Sequence, residues 1–350
     1  MERARVLDYD LQHHVAPPNM AQIKPLPSIY YPDFIAANQE ARADNLISGS
    51  DKQAHLEHIR ADIRKFKKDN GLHRVVVFWT ANTERYSDLI PCVNDTADNM
   101  NAIKISHPEV SPSSVFAVAV ILEGEPFVNG APQNTFVPVG QTKLKSVLAE
   151  FLVNAGIKPL SIASYNHLGN NDGHDLSAER QFRSKEISKS SVVDDMVNAN
   201  RLLFKAPQAG VEGKGEHPDH AVVIKYVPAV GDSKRAIDEY YSEIFCGGRS
   251  TINTFNECEN SLLATPLILD LAVLTELLTR VKYRKAESGE FQPLYSVLSL
   301  LSYMLKAPLV KPGTEVVNSL NRQRNALDAF LKACIGLEGS SDLLLETRIW

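Results

Sequence analysis

The sequence predicts an α/β or α+β chain, and three observations carry that prediction. Short, β-branched apolar runs read as buried strands: RVVVFWTA at 74–81, GIKPLSIAS at 156–164 and AVVIKYVPAV at 221–230. Between them lie segments whose apolar residues recur at helical spacing. Strands that alternate with helices build a sheet covered by helices. Several apolar runs also end in clusters of Gly, Asn, Asp, Ser or Thr, as turns and ligand-facing strand ends do.

The elements follow in order. Residues 17–34, PPNMAQIKPLPSIYYPDF, read as an extended arm wrapping a surface. Residues 51–69 place Leu56, Ile59, Ile63 and Phe66 on one face of an amphipathic helix. The strand at 74–81 runs into Thr80-Ala81-Asn82-Thr83, suited to a helix N-cap or a ligand-facing turn. SVFAVAVILEG at 114–124 is a buried strand or a buried helix, which periodicity alone does not separate. NGAPQNT at 129–135 is a loop, and KLKSVLAEFLV at 143–153 a helix opened by GQTK. A helix start of that kind presents backbone N–H groups and a hydroxyl to an anion, or is simply capped by Thr142.

The strand at 156–164 leads into SYNHLGNNDG, 164–173, where seven of ten residues are turn formers or polar hydrogen-bonders. A turn needs fewer; a loop lining a site at a strand end uses them all. A long helical region, 177–201, carries Lys185 and Lys189 at i and i+4, on one face. They read either as a solvated pair or as an anion site. After the glycine- and charge-rich loop GVEGKGEHPD and the strand at 221–230 comes Gly231-Asp232-Ser233-Lys234. KRAIDEYYSEIF is a helix or strand, and the pattern is helical from 261 onward: SLLATPLILDLAVLTELL, YSVLSLLSYMLKAPL and NSLNRQRNALDAFLKACIGL. Pro266, Asp270 and Glu276 make the first of these too polar for a membrane span, so it reads as a core helix. Lys306 sits in apolar surroundings, where a lysine snorkels or is desolvated.

Composition narrows the function. The 350 residues suffice for two domains, and 44% hydrophobic with 23% charged content is that of a globular protein. A net charge of −5 predicts no nucleic-acid surface. The four cysteines, Cys92, Cys246, Cys258 and Cys334, form no CxxC and read as reduced thiols of a cytoplasmic protein, with no signal peptide and no membrane association. There is no GxGxxG or GxxxxGK[ST], and HPDH at 217–220 lacks a third ligand, so no metal is expected.

Taken together, WTANTERY, NGAPQNTFVP, GQTKLKSVL, SYNHLGNNDG, FRSKEISKSSVVDDM, HAVVIKYVPAVGDSKRA, SLLATPLILDLAVLTEL and LSYMLKAPLV resemble the eukaryotic myo-inositol-3-phosphate synthase family. The resemblance implies a Rossmann-like NAD-binding domain interrupted by an α+β catalytic and tetramerisation domain. On that pattern 1–139 and 261–350 form the first and 140–260 the second. It also implies conversion of glucose 6-phosphate to 1D-myo-inositol 3-phosphate for inositol and phospholipid synthesis. Bound NAD oxidises C5, a proton leaves C6, the enolate attacks the C1 aldehyde, and the C5 ketone is reduced again. Enolate and alkoxide are anions, so cations should surround the ring oxygens.

By resemblance the catalytic lysines are Lys185, Lys189, Lys234 and Lys306. Gly140, Gln141, Thr142 and Lys143 match the phosphate loop, and Asn166 belongs to the substrate-facing loop. Thr80, Ala81, Asn82, Thr83, Gly130, Ala131, Asn170, Asn171, Asp172, Gly231, Asp232, Asn260 and Ser261 match cofactor contacts. A homotetramer, or a hetero-oligomer with full-length subunits, is implied.

Three departures stand out. The family's glycine-rich GxGGNNG loop lies upstream of the first residue here. FVPVGQTK joins directly what the family separates by a strand and a GGDDFKS segment. Asn260 stands where the family has aspartate, which keeps the shape and removes the charge. They raise the alternative of a non-catalytic isoform, and exposed apolar edges are expected where sheet neighbours are missing.

Overall fold

The computed structural model describes residues 9–88, 90–94, 101–130, 141–205, 215–285, 289–305 and 319–339. The first helix, α1 (Tyr9–Met20), ends through Pro17 and Pro18, so the arm starts only after it. From there the chain buries Ile29, Tyr31 and Phe34 against α2 (Lys52–Asp69), where Leu56, Ile59 and Ile63 form the inward stripe. Asp51 caps α2 by accepting from the Gln53 N–H. Next come β1 (Val77–Trp79), α3 (Asn101–Lys104), α4 (Pro112–Leu122) and β2 (Phe127–Asn129). Strand β1 pairs in parallel with β2, and α4 packs Val115, Ala119 and Val120 into the same core as α2. The ambiguous run at 114–124 is therefore helical. Ser111 caps it and Pro112 opens it, local signals that outrank periodicity. No helix follows Thr80–Thr83, so these residues form a loop at the carboxyl end of β1 rather than an N-cap.

The larger layer begins with α5 (Gln141–Asn154), β3 (Lys158–Leu168), α6 (Asn171–Asp175) and α7 (Glu179–Ala199). It continues with β4 (Asp219–Tyr226), β5 (Ser233–Glu243) and β6 (Arg249–Glu259). The sheet order is β4-β3-β5-β6, with β3 and β4 parallel and the other pairs antiparallel. Strand β3 runs four residues further than its apolar stretch indicates. Ser164 to Leu168 are paired on both sides, and Asn166 is a strand residue rather than a loop residue. The segment read as helix or strand from 234 is a strand as far as Glu243, with a 3-10 turn beginning at Phe245, and RSTINTFNECE, unassigned by pattern, is the edge strand beside it. One sheet face carries Ile162, Ser164, Asn166 and Leu168 with Ala236, Asp238 and Tyr240, all buried. Helices α5 and α7 cover it through Leu152, Val153, Val193 and Met196.

The chain returns through α8 (Asn260–Thr279), the short β7 (Lys282–Tyr283) and β8 (Gln292–Pro293), α9 (Val297–Leu300) and α10 (Leu320–Cys334). Helix α8 is not a core helix on all sides. Leu267, Leu271 and Leu278 are buried, while Leu269, Val273 and Leu277 are exposed. It is long and apolar enough to cross a membrane, yet Leu271 and Leu278 join Val297, Leu301, Met304 and Leu327 in a core of their own. The long helix expected from 295 is instead the single turn of α9 followed by a 3-10 turn at Ser302–Met304.

Two glycines of SYNHLGNNDG are there for space. A Cβ on Gly169 would lie 2.5 Å from the Gly231 nitrogen and 2.6 Å from the Val227 oxygen; one on Gly173 would meet Leu168 at 2.7 Å. Gly169→Ala should therefore cost about 1–3 kcal/mol in urea unfolding. Gly289→Ala, with nothing within 4 Å, should stay within about 0.5 kcal/mol of the parent.

Candidate active site

Strand β3 ends with the Leu168 carbonyl accepting from the Val227 N–H at 2.8 Å, which brings the β4–β5 connection alongside Gly169. Asn170 then caps α6, its Oδ1 accepting from the Gly173 N–H at 3.1 Å. This geometry turns the next two side chains toward the loop after β1. Asn171 Nδ2 donates to Asn82 Oδ1 at 3.2 Å, and Asn82 Nδ2 donates to Gln39 Oε1 at 2.9 Å. Asp172 takes Thr83 Oγ1 on one oxygen at 3.2 Å and Lys185 Nζ on the other at 3.3 Å. Asn170 Nδ2 reaches Asp232 Oδ1 at 3.4 Å.

The charges are tightly interdependent. Burial alone would push the Asp172 carboxyl up, but the charge and hydrogen bond of Lys185, the Thr83 hydroxyl and the charge of Lys234 bring it below the ordinary range. Burial lowers the Lys234 ammonium, and the neighbouring Lys185 lowers it further, against the pull of Cys258, Asp172 and Asp238. One turn beyond Asp172, Asp175 is completely buried, and Lys185 with the backbone N–H groups of Thr83 and Ala36 offsets the cost of that burial only in part. Burial, then the Asp172 charge, push it up to about 7. The site holds one carboxylate comfortably and resists a second.

Asn82, Thr83, Asn170, Asn171, Asp172, Lys185 and Asp232 are thus joined by direct contacts, with Lys234 beside them. Lys185 and Lys189 are no solvated pair: their exposures are 15% for the side chain and 4% for the residue. Asn166 donates to the Val223 carbonyl at 3.3 Å, while its buried Oδ1 has no partner among the described residues. Lys143 is fully buried and donates to Gln323 Oε1 of α10 at 2.8 Å, away from the Asp172 contacts. Thr80, Ala81 and Gly231 are exposed, and the Gly130 N–H donates to the Trp79 carbonyl at 2.7 Å. Gln141 and Thr142 open α5, and Asn260 and Ser261 open α8. Ala131, Gly140 and Lys306 lie outside the described residues.

Pattern reading missed a buried group on the same sheet face: Lys145, Ser164 and Asp238, with His220 beside them. His220, from the HPDH stretch, faces Lys145 and Ser190. Period-two reading of 234–245 as a strand puts Asp238 on the face of Lys234 and is the signal that could have found it.

A dinucleotide fits part of this arrangement. Thr80, Ala81 and Gly130 follow the carboxyl ends of the parallel strands β1 and β2, where such sheets take their ligands, and the amide-rich α6 loop adjoins them. The fold and site are those of an α/β enzyme of the NAD-binding class. A family profile for myo-inositol-1-phosphate synthase, in an NAD-binding group, matches residues 1–332. Inositol-3-phosphate synthase of Dictyostelium discoideum is 54% identical over 369 aligned positions, covering 100% of this chain and 70% of that one. The Saccharomyces cerevisiae enzyme is 53% identical, again over 100% and 70%. The crystal structure of the Caenorhabditis elegans enzyme superposes with a TM-score of 0.89 at 52% identity, over 99% of this chain and 70% of that one. The chain belongs to the inositol-3-phosphate synthase family, isomerases of inositol biosynthesis.

The Asp175 environment makes a pH prediction. Its folded pKa lies above its unfolded value, so its favourable contribution is complete below about 4 and is lost as pH rises through about 7. Asp175→Asn should therefore gain stability relative to the parent between those limits, by up to roughly 4 kcal/mol. Urea unfolding of both proteins at pH 4 and pH 8 measures the difference.

Proposed function

We propose that this chain carries the substrate centre of an inositol-3-phosphate synthase, converting D-glucose 6-phosphate to 1D-myo-inositol 3-phosphate with NAD. The observation that carries the reading is the Lys185–Asp172–Thr83 contact with Lys234 beside it. Lys185, oriented by Asp172, presents an ammonium to an enolate or alkoxide oxygen. Lys234, its proton loosened by burial and by Lys185, is suited to moving a proton at the ring. Lys189 and Lys306 complete the cationic set. The unpartnered Oδ1 of Asn166 is free to take a sugar hydroxyl. Gln141, Thr142 and Lys143, at the start of α5, are assigned to the phosphate together with Gly140.

When bound, NAD supplies a reversible hydride acceptor at C5. Asn82, Thr83, Asn170, Asn171, Asp172, Gly231 and Asp232 are assigned to its nicotinamide side, with Thr80, Ala81, Gly130, Ala131, Asn260 and Ser261 as further contacts. In domain terms, 1–139 and 261–350 form a Rossmann-like unit and 140–260 the α+β catalytic unit. The sheet face turned away from α5 and α7 exposes Tyr165, Val223, Ile237, Tyr241 and Phe255. An apolar face of this kind supports assembly into a homotetramer or with full-length subunits. The free cysteines suit a cytoplasmic protein.

A second reading, a non-catalytic isoform that joins full-length subunits, is favoured by one observation. The alignment with the Dictyostelium relative runs over more positions, 369, than the 350 residues of this chain, so some internal positions of that relative have no counterpart here.

Phosphorus NMR of purified chain with NAD and glucose 6-phosphate separates the two. The first reading expects an inositol phosphate signal without NADH accumulation, reduced at least about 100-fold by Lys234→Ala. No product beside an active full-length relative, with full-length chains copurifying, gives the second. For assembly, Phe255→Glu should lower the mass measured by light scattering while the circular dichroism spectrum stays unchanged; an unaltered mass would remove the sheet face from the interface.

A further inference from the structure

Directly behind the candidate site lies a second, buried set of charges. Lys145 of α5 donates to Ser164 Oγ on β3, and that hydroxyl donates to Asp238 Oδ1 on β5. The Lys145 ammonium is 3.6 Å from the same carboxylate, with side-chain exposures of 2% and 1%. Lys145 also lies 3.1 Å from His220 Nε2. An ammonium only donates, so Nε2 accepts and the ring proton sits on Nδ1, facing Ser190 Oγ at 3.3 Å; Ser190 in turn donates to the Glu186 carbonyl of α7 at 3.1 Å. One chain of donors therefore links α5, three strands and the helix bearing Lys185 and Lys189. Burial, with Lys145 and then Lys189 beside it, lowers His220 to about 3, so it stays neutral in this set.

This set shares a sheet face with Lys234. Lys234 and Asp238 are four residues apart on β5, roughly 13 Å along the strand, with their side chains on the same side. The groups acting on Lys234 are Lys185 from α7, Asp172 from α6, Cys258 from β6 and Asp238 from its own strand. Those acting on Lys145 are Asp238 and Lys234 from β5, with Ser164 and His220 in contact. Asp238 thus faces both lysines, and the share of its charge that reaches Lys234 depends on Lys145.

We propose that Lys145 and Asp238, joined through Ser164, form a positioning pair that sets the electrostatic field beneath Lys234. Neither needs to touch substrate. The pair acts through Lys234 and, by way of His220 and Ser190, through the placement of α7. The proposal rests on Lys234 being a site lysine. Its physical content, a charge-dependent titration of Lys234, is measured without turnover and so stands or falls separately from the proposed activity.

The test is competitive acetylation of the whole chain with trace acetic anhydride across pH 6–11, with Lys234 followed by peptide mass spectrometry. Lys145→Met leaves the Asp238 charge uncompensated and should raise the Lys234 midpoint by roughly one pH unit. Asp238→Asn leaves the Lys145 charge uncompensated and should lower it by a similar amount. The double variant should return close to the parent, and Lys145→Arg should leave the midpoint in place. Shifts of opposite sign that cancel are a charge signature that loosened packing does not produce. If both single variants shift Lys234 in the same direction, or neither shifts it, the proposal is wrong. Should Lys145→Met not fold, the near-isosteric Asp238→Asn decides alone: a lowered midpoint supports the pair and an unchanged one overturns it.

Discussion

The contact between Asp172 and Lys185 holds the site together, because it joins the loop after β3 to the helix that covers the sheet. Around it the chain gathers more positive than negative charge. Lys185 sits close enough to Lys234 to weaken that lysine's hold on its proton, and Asp172 is a carboxylate that faces both. Stranding one member of a buried pair costs on the order of 3–5 kcal/mol, so the rest of the site is arranged to keep this one intact. Thr83 takes the second Asp172 oxygen, and Asp175, pushed up to about 7, carries less charge near neutral pH than an ordinary carboxylate. The result is a buried set of lysines with Asp172 as a built-in counter-ion, suited to a reaction through enolate and alkoxide oxygens.

Much of this was legible in the sequence, for identifiable reasons. The runs that became β1 and β4 are rich in β-branched residues, and α2 and α10 carry clear helical stripes. SYNHLGNNDG held more polar residues than a turn uses, and its side chains do reach the β1 loop, α7 and the start of β5. The misses have physical causes. β3 was read as ending where its apolar residues end, although Ser164 and Asn166 are polar residues facing a covered sheet face. Helix α4 was left open because its composition is apolar throughout, and only the Ser-Pro before it decides the matter. Lys145 and Asp238 lie 93 positions apart in the sequence, and no local pattern encodes their pairing.

The sheet and α8 share a design: one face buried, the other apolar and open. In the sheet, the covered side carries the charges and the open side carries Tyr165, Ile237 and Phe255. In α8, Leu271 and Leu278 anchor the helix while Leu269 and Val273 face outward. Chemistry and exposed apolar surface therefore occupy opposite faces of the same strands, and β3 and β5 contribute to both.

A double-mutant cycle on Asp172 and Lys185 tests the central contact most directly. Asp172→Asn, Lys185→Met and the double variant would be unfolded in urea at neutral pH. The account predicts a coupling energy of about 1–3 kcal/mol, the double variant being less damaged than the two single losses combined. Strictly additive losses would show that the two side chains do not depend on each other, and the site would have to be built around a different contact.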